Sequence, residues 1–179
     1  MTTEYLLERE LRLVMMALTE ENRLVCEVML HTGLRVGDVV ALPSAVLTAS
    51  SYTVTESKTG KRRKITLPMA LKLRLKPYVG EKWLFPGRNP LKHRTRQAVY
   101  KDIKRAGKAF RLPQNLGAHS MRKVYAVRLF DKYGDIERVR RALNHGSAAV
   151  TMLYAMADRA LDARRNSRGR RYVNSRGES

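Results

Sequence analysis

Residues 119–154 read HSMRKVYAVRLFDKYGDIERVRRALNHGSAAVTMLY, and they place two histidines, an arginine and a tyrosine at telling spacings. His119 stands three residues before Arg122, so both side chains project from one face of a helix. His145 follows downstream, and Tyr154 lies nine residues after it. Arginine neutralises phosphate charge, histidine transfers protons, and a phenol can act as a nucleophile. The stretch therefore predicts chemistry on a phosphodiester.

Two upstream motifs complete this set of groups. His31-Thr-Gly-Leu-Arg35-Val-Gly-Asp38 supplies a second arginine, and Asp38, one helical turn later, could hold its guanidinium in place. Glu56-Ser-Lys58-Thr-Gly supplies a lysine in a predicted turn, where it could protonate a departing oxygen, with Lys61 as the substitute. Two arginines bind phosphate oxygens in fork geometry and stabilise the charge that builds up in the transition state.

In their order and spacing, these motifs resemble the catalytic domain of the tyrosine recombinases, also called the phage-integrase family. The resemblance covers residues 19–154 and rests on T-G-L-R with an acidic residue three positions later, a basic hairpin, H-x-x-R, and a histidine followed nine residues later by tyrosine. The glycine that usually precedes that histidine is Asn144 here. Asparagine tolerates the left-handed backbone of a turn, so the motif is retained.

The resemblance implies site-specific recombination of double-stranded DNA. Tyr154 would attack one strand, form a 3′-phosphotyrosyl link and free a 5′ hydroxyl, which then attacks the phosphotyrosine of a partner strand. Arg35 and Arg122 would hold the phosphate, while Lys58 protonates the leaving oxygen. His119 would take the tyrosine proton during attack and return it in the reverse step. His145 would donate a hydrogen bond to a non-bridging oxygen of the phosphate. No metal or other cofactor is expected. The implied partners are other protomers, as a tetramer in synapsis, and accessory DNA-bending proteins.

The charge balance independently indicates a polyanionic partner. Thirty-six Lys and Arg residues stand against 16 Asp and Glu residues, which gives a net charge of +20. Residues 57–80 contain no acidic residue, and Asp102 is the only acidic residue between Glu81 and Asp131. The predicted DNA contacts are the basic residues of the hairpin and of the later helix start: Lys61, Arg62, Arg63, Lys64, Arg94 and Arg96.

Other classes of protein fit the sequence poorly. The candidate catalytic motifs carry too few carboxylates for a two-metal nuclease. The chain has no cysteines and histidines at the spacing of zinc ligands, and it has no phosphate-binding P-loop. No apolar run is long enough for a membrane helix, and the start does not resemble a signal peptide. The single Cys26 cannot form an internal disulfide, which favours a buried thiol and a reduced, cytoplasmic location. The resemblance to DNA recombinases implies association with the nucleoid.

Periodicity predicts a mainly α-helical fold with a small antiparallel sheet. Apolar residues recur at helical spacing in most segments, whereas two short segments around a Thr59-Gly60 turn are typical of a hairpin. Thr19 and Gly33 are expected to begin and end the second helix. The predicted helices are 3–17, 20–31, 35–41, 68–76, 95–110, 119–132, 135–143 and 147–158, and the predicted strands are 51–55 and 64–67.

The chain is expected to comprise a catalytic domain, 1–158, and a basic tail, 159–179, that is mobile or docks on a neighbouring protomer. About 18 residues precede the family's first helix, so a separate DNA-binding domain is not expected within this sequence. Two alternative functions stay open at this point. A type IB topoisomerase uses a similar set of groups, and a non-catalytic DNA-binding regulator would share the charge.

Overall fold

A computed structural model describes residues 6–112 and 115–143 of the chain. Short 3₁₀ turns lie at Ser44–Leu47 and Lys76–Tyr78. The prediction of a mainly α-helical fold with a small antiparallel sheet is confirmed. In chain order the elements over these residues are α1 (Glu8–Ala17), α2 (Glu20–Thr32), α3 (Val36–Val40), β1 (Tyr52–Thr55), β2 (Arg62–Ile65), α4 (Met69–Leu75), α5 (Arg96–Ala109), α6 (Ala118–Tyr133) and α7 (Ile136–Leu143).

Helix α2 lies at the centre of the core, where it packs against α1, α3, α5 and α6. Leu24, Val25, Val28 and Met29 are almost fully buried, as is Cys26. A helix that is covered on several sides needs apolar residues around most of its circumference. Burial raises the pKa of the Cys26 thiol to about 12, so the thiol stays protonated and unreactive. The prediction of a buried cysteine is confirmed.

The hairpin pairs β1 with β2, with Tyr52 opposite Ile65 and Val54 opposite Arg63. The predicted bounds of the second strand, 64–67, are wrong by two residues, because the observed strand begins at Arg62 and ends at Ile65. Paired residues of antiparallel strands point to the same face, and Val54 is buried. Arg63 therefore faces the interior, although its place in a basic run suggested an exposed turn residue.

The carboxylate of Asp102 links α5 to the start of α2 through hydrogen bonds. Its Oδ2 accepts hydrogen bonds from the Thr19 backbone N at 2.9 Å, the Thr19 hydroxyl at 2.9 Å and the Asn22 Nδ2 at 2.8 Å. Its Oδ1 accepts from the Nε of Arg105 at 2.9 Å and the Nη2 at 2.6 Å. Thr19 thus occupies the predicted N-cap position, but its hydroxyl donates to a distant carboxylate.

The environment of Asp102 makes its charged form the stable one. Burial would raise the pKa of this carboxyl, but the hydrogen bonds from Asn22, Thr19 and Arg105 outweigh burial and hold the pKa below its ordinary value of 3.8. The folded protein therefore binds this proton less tightly than the unfolded chain does. The resulting stabilisation is present above the unfolded pKa and is lost as the pH falls through the lower, folded pKa.

We expect Asp102→Asn to lower the free energy of unfolding at neutral pH by about 2 kcal/mol, because the amide cannot accept from donors on both sides. The difference from wild type should shrink as the pH falls below about 4. Urea unfolding at a series of pH values measures both effects. Glu137→Gln, at an exposed carboxylate paired with Arg140, is the control and should change stability by less than about 0.5 kcal/mol. A loss at Asp102 that does not change with pH would contradict the assignment.

Candidate active site

The motifs around Arg35 and Arg122 are distant in sequence, but they meet where α2 ends. Gly33 closes α2 in the left-handed conformation, with φ of 65°. A Cβ at this position would lie 2.3 Å from the ring of Tyr125 on α6. Glycine alone permits both this backbone conformation and this contact. The close approach of the two helices allows Arg122, one turn before Tyr125, to reach the Gly33 carbonyl.

Arg122 is buried, with 3% of its surface exposed, and it binds the ends of two helices. Its Nη1 donates to the Gly33 carbonyl, and its Nη2 donates to the Leu143 carbonyl at 2.6 Å. Carbonyls in the last turn of a helix lack partners within that helix, so the guanidinium can satisfy a carbonyl at the end of α2. Arg122 thereby fixes the end of α7, directly before the segment that holds His145.

The side chain bound to Arg35 differs from the predicted one. Arg35 is the N-cap residue of α3, and its Nη1 forms an ion pair with Oε2 of Glu56. The expectation that Asp38 holds Arg35 is wrong, because Oδ1 of Asp38 instead accepts from the Ser57 backbone N at 2.9 Å and the Ser57 hydroxyl at 2.7 Å. Glu56 could have been found from the sequence, since it is the last acidic residue before the acid-free stretch 57–80.

Lys58 lies at the tip of a turn whose base is fixed. Gly60 and Thr59 donate their backbone N–H groups to the Glu56 carbonyl at 2.8 and 3.3 Å, and the Glu56 N–H donates to the Lys61 carbonyl at 3.0 Å. The Lys58 side chain itself is exposed. Because Ser57 is hydrogen-bonded to Asp38 of α3, the turn is attached to the helix that Arg35 begins.

Arg63 is a third arginine of the site. Its Nη1 lies 3.7 Å from Oε1 of Glu56 and has no hydrogen-bond partner among the described residues. Burial, followed by the charge of Arg35, lowers the pKa of Arg122 to about 10, and Arg63 contributes to this shift while Glu56 opposes it. Since the pKa of Arg122 stays well above neutral, its guanidinium is charged and is repelled by those of Arg35 and Arg63. We call Arg35, Arg63, Arg122, Glu56 and Asp38 the arginine cluster.

The remaining candidates are not members of this cluster, and some of them lie outside the described residues. His119 is exposed on α6, one turn before Arg122. Arg96 begins α5, and its Cδ lies 3.2 Å from where a Cβ on Gly37 would stand, which places it beside α3. The Nη2 of Arg94 lies 3.6 Å from Oε2 of Glu21. Lys61, Arg62 and Lys64 are exposed, and their contact with DNA stays a prediction. His145, Tyr154 and the tail 159–179 fall outside the part of the chain that the structure describes.

A metal site and a membrane-spanning helix are both absent from residues 6–112 and 115–143. No three histidine, cysteine, aspartate or glutamate side chains lie close enough together there to hold a metal ion. No helix in the same residues is long and apolar enough to cross a membrane.

Comparison with known proteins agrees with the resemblance seen in the motifs. The profile described as the Phage integrase family matches residues 4–160. The chain belongs to the phage integrase family. Among curated members, a Bacillus subtilis (strain 168) protein named "Probable integrase/recombinase YoeC" is 30% identical over 134 residues, covering 72% of this chain and 74% of YoeC. Tyrosine recombinase XerD of Bradyrhizobium diazoefficiens is 30% identical over 151 residues, covering 74% of this chain and 48% of XerD.

Solved structures of recombinases share the fold of this phage integrase family member. XerH bound to its difH substrate aligns with a TM-score of 0.68 and 22% identity, over 84% of this chain and 50% of XerH. A lambda integrase tetramer bound to a Holliday junction aligns with a TM-score of 0.66 and 22% identity, over 84% of this chain and 48% of that protein. The chain thus spans about half the length of these proteins and of XerD.

We expect Arg122→Lys to lower the free energy of unfolding by about 2–3 kcal/mol, because a single ammonium cannot reproduce the fork that binds the Gly33 and Leu143 carbonyls. Arg128→Lys is the matched control, since Arg128 lies on the same helix and pairs with Glu8 at an exposed site. Its cost should stay below about 0.5 kcal/mol. Urea unfolding of both variants tests the difference, and equal effects would argue against the structural role of the Arg122 fork.

Proposed function

We propose that this chain is the catalytic part of a site-specific DNA recombinase, which cleaves and rejoins strands through a phosphotyrosine at Tyr154. The observation that carries the proposal is the arginine cluster. Three guanidinium charges stand against the two carboxylate charges of Glu56 and Asp38, which leaves a local excess of one positive charge. A phosphodiester brings one negative charge, so it would complete the balance of this site.

Electrostatics favour phosphate at this position over water. The arginines repel one another in a site that is largely buried, as the lowered pKa of Arg122 reflects. An anion between them would relieve this repulsion, and the Nη1 of Arg63 has a hydrogen bond left to donate. In the transition state, negative charge builds up on the equatorial oxygens of the phosphoryl group. Fixed guanidiniums therefore stabilise that state more than the ground state.

The proposed cleavage step transfers the phosphate from DNA to the protein. The Tyr154 oxygen attacks phosphorus and gives up its proton to His119, while the bond from phosphorus to the 5′ oxygen breaks. Lys58 donates a proton to that leaving oxygen, and His145 donates a hydrogen bond to a non-bridging oxygen. The product is a 3′-phosphotyrosine and a free 5′ hydroxyl. A 5′ hydroxyl of a partner strand reverses the step, and the covalent link conserves the energy of the phosphodiester.

Basic side chains on the surface suit a duplex partner. The hairpin and the start of α5 expose basic side chains, and an open groove of about 860 Å³ lies between the start of α2, the 87–95 loop and α5. DNA phosphates are held by such arrays of cations. The lining of the groove includes Arg88, Lys92, Arg94, Lys101 and Arg105.

Assembly on DNA is part of the proposal. XerH was solved on its difH substrate and lambda integrase as a tetramer on a Holliday junction, and both share this fold. We propose that several protomers of this chain likewise act together on paired sites, within the nucleoid and with accessory DNA-bending proteins. The recombinase and integrase names of the relatives favour recombination over the alternatives of a type IB topoisomerase and a non-catalytic regulator.

We expect Tyr154→Phe to abolish the covalent DNA adduct while DNA affinity stays within about twofold, because most of the affinity comes from phosphate contacts elsewhere. The adduct is trapped on a nicked suicide substrate and is seen as a shifted band on a denaturing gel. Tyr100→Phe, at a half-exposed tyrosine of α5, is the control and should form the adduct normally.

Two outcomes would contradict this assignment. One is an undiminished adduct in Tyr154→Phe. The other is an adduct in wild type that EDTA abolishes and magnesium restores, since the proposed chemistry uses side-chain cations alone. Recombination of two paired sites without relaxation of a plasmid that lacks sites separates the proposal from topoisomerase activity.

Binding should depend strongly on salt, because each phosphate contact releases condensed counterions. The log–log slope should be about −0.9 for each contact. Replacing Lys61, Arg62 and Lys64 together by glutamine should make the slope shallower by roughly 2–3. Arg9→Gln, on an exposed position of α1, is the control and should leave the slope unchanged. Fluorescence anisotropy titrations of a duplex at several salt concentrations provide the measurement.

The same salt titrations of a variant that lacks residues 164–179 test whether the basic tail contacts DNA. A tail that touches DNA contributes to the slope, whereas a tail that docks on a neighbouring protomer leaves monomer binding unchanged and impairs recombination. Tight, sequence-specific binding that does not respond to salt would contradict the view that phosphate contacts dominate affinity.

A further inference from the structure

Glu56 is a charged residue in a place where charge is costly. Its side chain is fully buried, and a carboxylate in the interior loses several kcal/mol of hydration unless cations compensate it. Two cations do so, since Arg35 binds Oε2 and Arg63 lies 3.7 Å from Oε1. Glu56 therefore joins a residue of α3 to a residue of β2 through one carboxylate.

The backbone of the same residue closes the turn that carries Lys58. The Glu56 carbonyl accepts from Gly60 at 2.8 Å, and its N–H donates to Lys61 at 3.0 Å. One residue thus links the arginine expected to hold the phosphate to the turn that carries the lysine expected to protonate the leaving oxygen. The carboxylate acts on the arginine, and the backbone acts on the turn.

We infer that Glu56 is a positioning residue for strand cleavage, whose buried carboxylate fixes the guanidinium of Arg35 for contact with the scissile phosphate. The inference rests on the proposed function, in which Arg35 binds that phosphate. An arginine side chain has many rotamers, and the ion pair selects one before DNA arrives. Displacement of a phosphate-binding group by about 1 Å can cost up to about a hundredfold in rate, so this selection matters for catalysis.

Removing the charge of Glu56 should separate binding from cleavage. Glu56→Gln keeps the size of the side chain and a carbonyl acceptor, but it leaves the cluster with one more net positive charge. Phosphate binding in the ground state should be retained, so DNA affinity should stay within about twofold of wild type. Cleavage with enzyme in excess over a nicked suicide substrate should slow by roughly ten- to a hundredfold, because Arg35 is no longer held in place.

A modified substrate distinguishes positioning of Arg35 from a general loss of structure. A methylphosphonate at the scissile position replaces one charged oxygen by a methyl group, so its cleavage needs less help from Arg35. The difference in rate between wild type and Glu56→Gln should therefore shrink to about threefold or less on this substrate. A defect of equal size on both substrates would overturn the inference.

Glu27→Gln is the matched control, since Glu27 also binds an arginine, Arg74, through two hydrogen bonds, at 2.6 and 2.9 Å. This pair belongs to α2 and α4, and its loss should leave cleavage of both substrates unchanged. Thermal unfolding by circular dichroism verifies that each variant is folded at the assay temperature. If Glu56→Gln is not folded, Glu56→Asp replaces it, because the shorter carboxylate keeps the charge but cannot hold Arg35 in the same position.

The two hypotheses fail in different ways. If wild type and Glu27→Gln form no adduct, the proposed function is wrong, and with it the role of Glu56. If wild type forms the adduct and Glu56→Gln cleaves at the wild-type rate, recombinase chemistry stands and the positioning role is wrong. The same reasoning applies to Glu56→Asp, for which a wild-type rate would also contradict the inference.

Discussion

The arrangement of helices depends on burying the positive charge of Arg122 at the junction of α2, α6 and α7. Moving a guanidinium out of water costs several kcal/mol, and this cost must be offset locally. The carbonyls of Gly33 and Leu143 offset part of it through hydrogen bonds, and Glu56 offsets part through its charge. The same interactions join three helices, so the packing of the fold and the assembly of the site have one physical origin.

The two carboxylates of the cluster have different partners. Glu56 compensates arginines, whereas Asp38 receives both donors of Ser57 and so attaches the hairpin turn to α3. As a result, Arg35 and Lys58 come from different elements but share one framework. Catalysis of phosphoryl transfer relies mainly on positioning and on electrostatic stabilisation, and a framework of this kind supplies both before the substrate binds.

Local signals predicted most helices of the described residues well, although α1 begins at Glu8 and not at residue 3, and the predicted helix 147–158 lies outside the described residues. Non-local contacts account for two further errors. Gly33 ends α2 as expected, because a left-handed glycine is a property of a few adjacent residues. The bounds of β2 and the carboxylate bound to Arg35 were missed, because both depend on Arg63 and Glu56 being turned into the interior. A basic run gives no local sign that one of its members is half-buried. His145 and Tyr154 rest on motif spacing and family resemblance alone.

The few acidic residues of the stretch 56–130 differ in how deeply they are buried. In the stretch from Glu56 to Phe130, the carboxylates of Glu56 and Asp102 are the buried ones. Glu56 binds Arg35 of a distant segment, whereas Asp102 binds Arg105 of its own helix and the neutral donors of Thr19 and Asn22. A net charge of +20 opposes compaction through self-repulsion, so a carboxylate is most effective where one charge compensates several neighbouring cations at low exposure. This placement leaves few carboxylates on the surface between Glu56 and Phe130. Because DNA would then neutralise the charges that the interior carboxylates do not reach, binding to DNA and stability of the fold are linked.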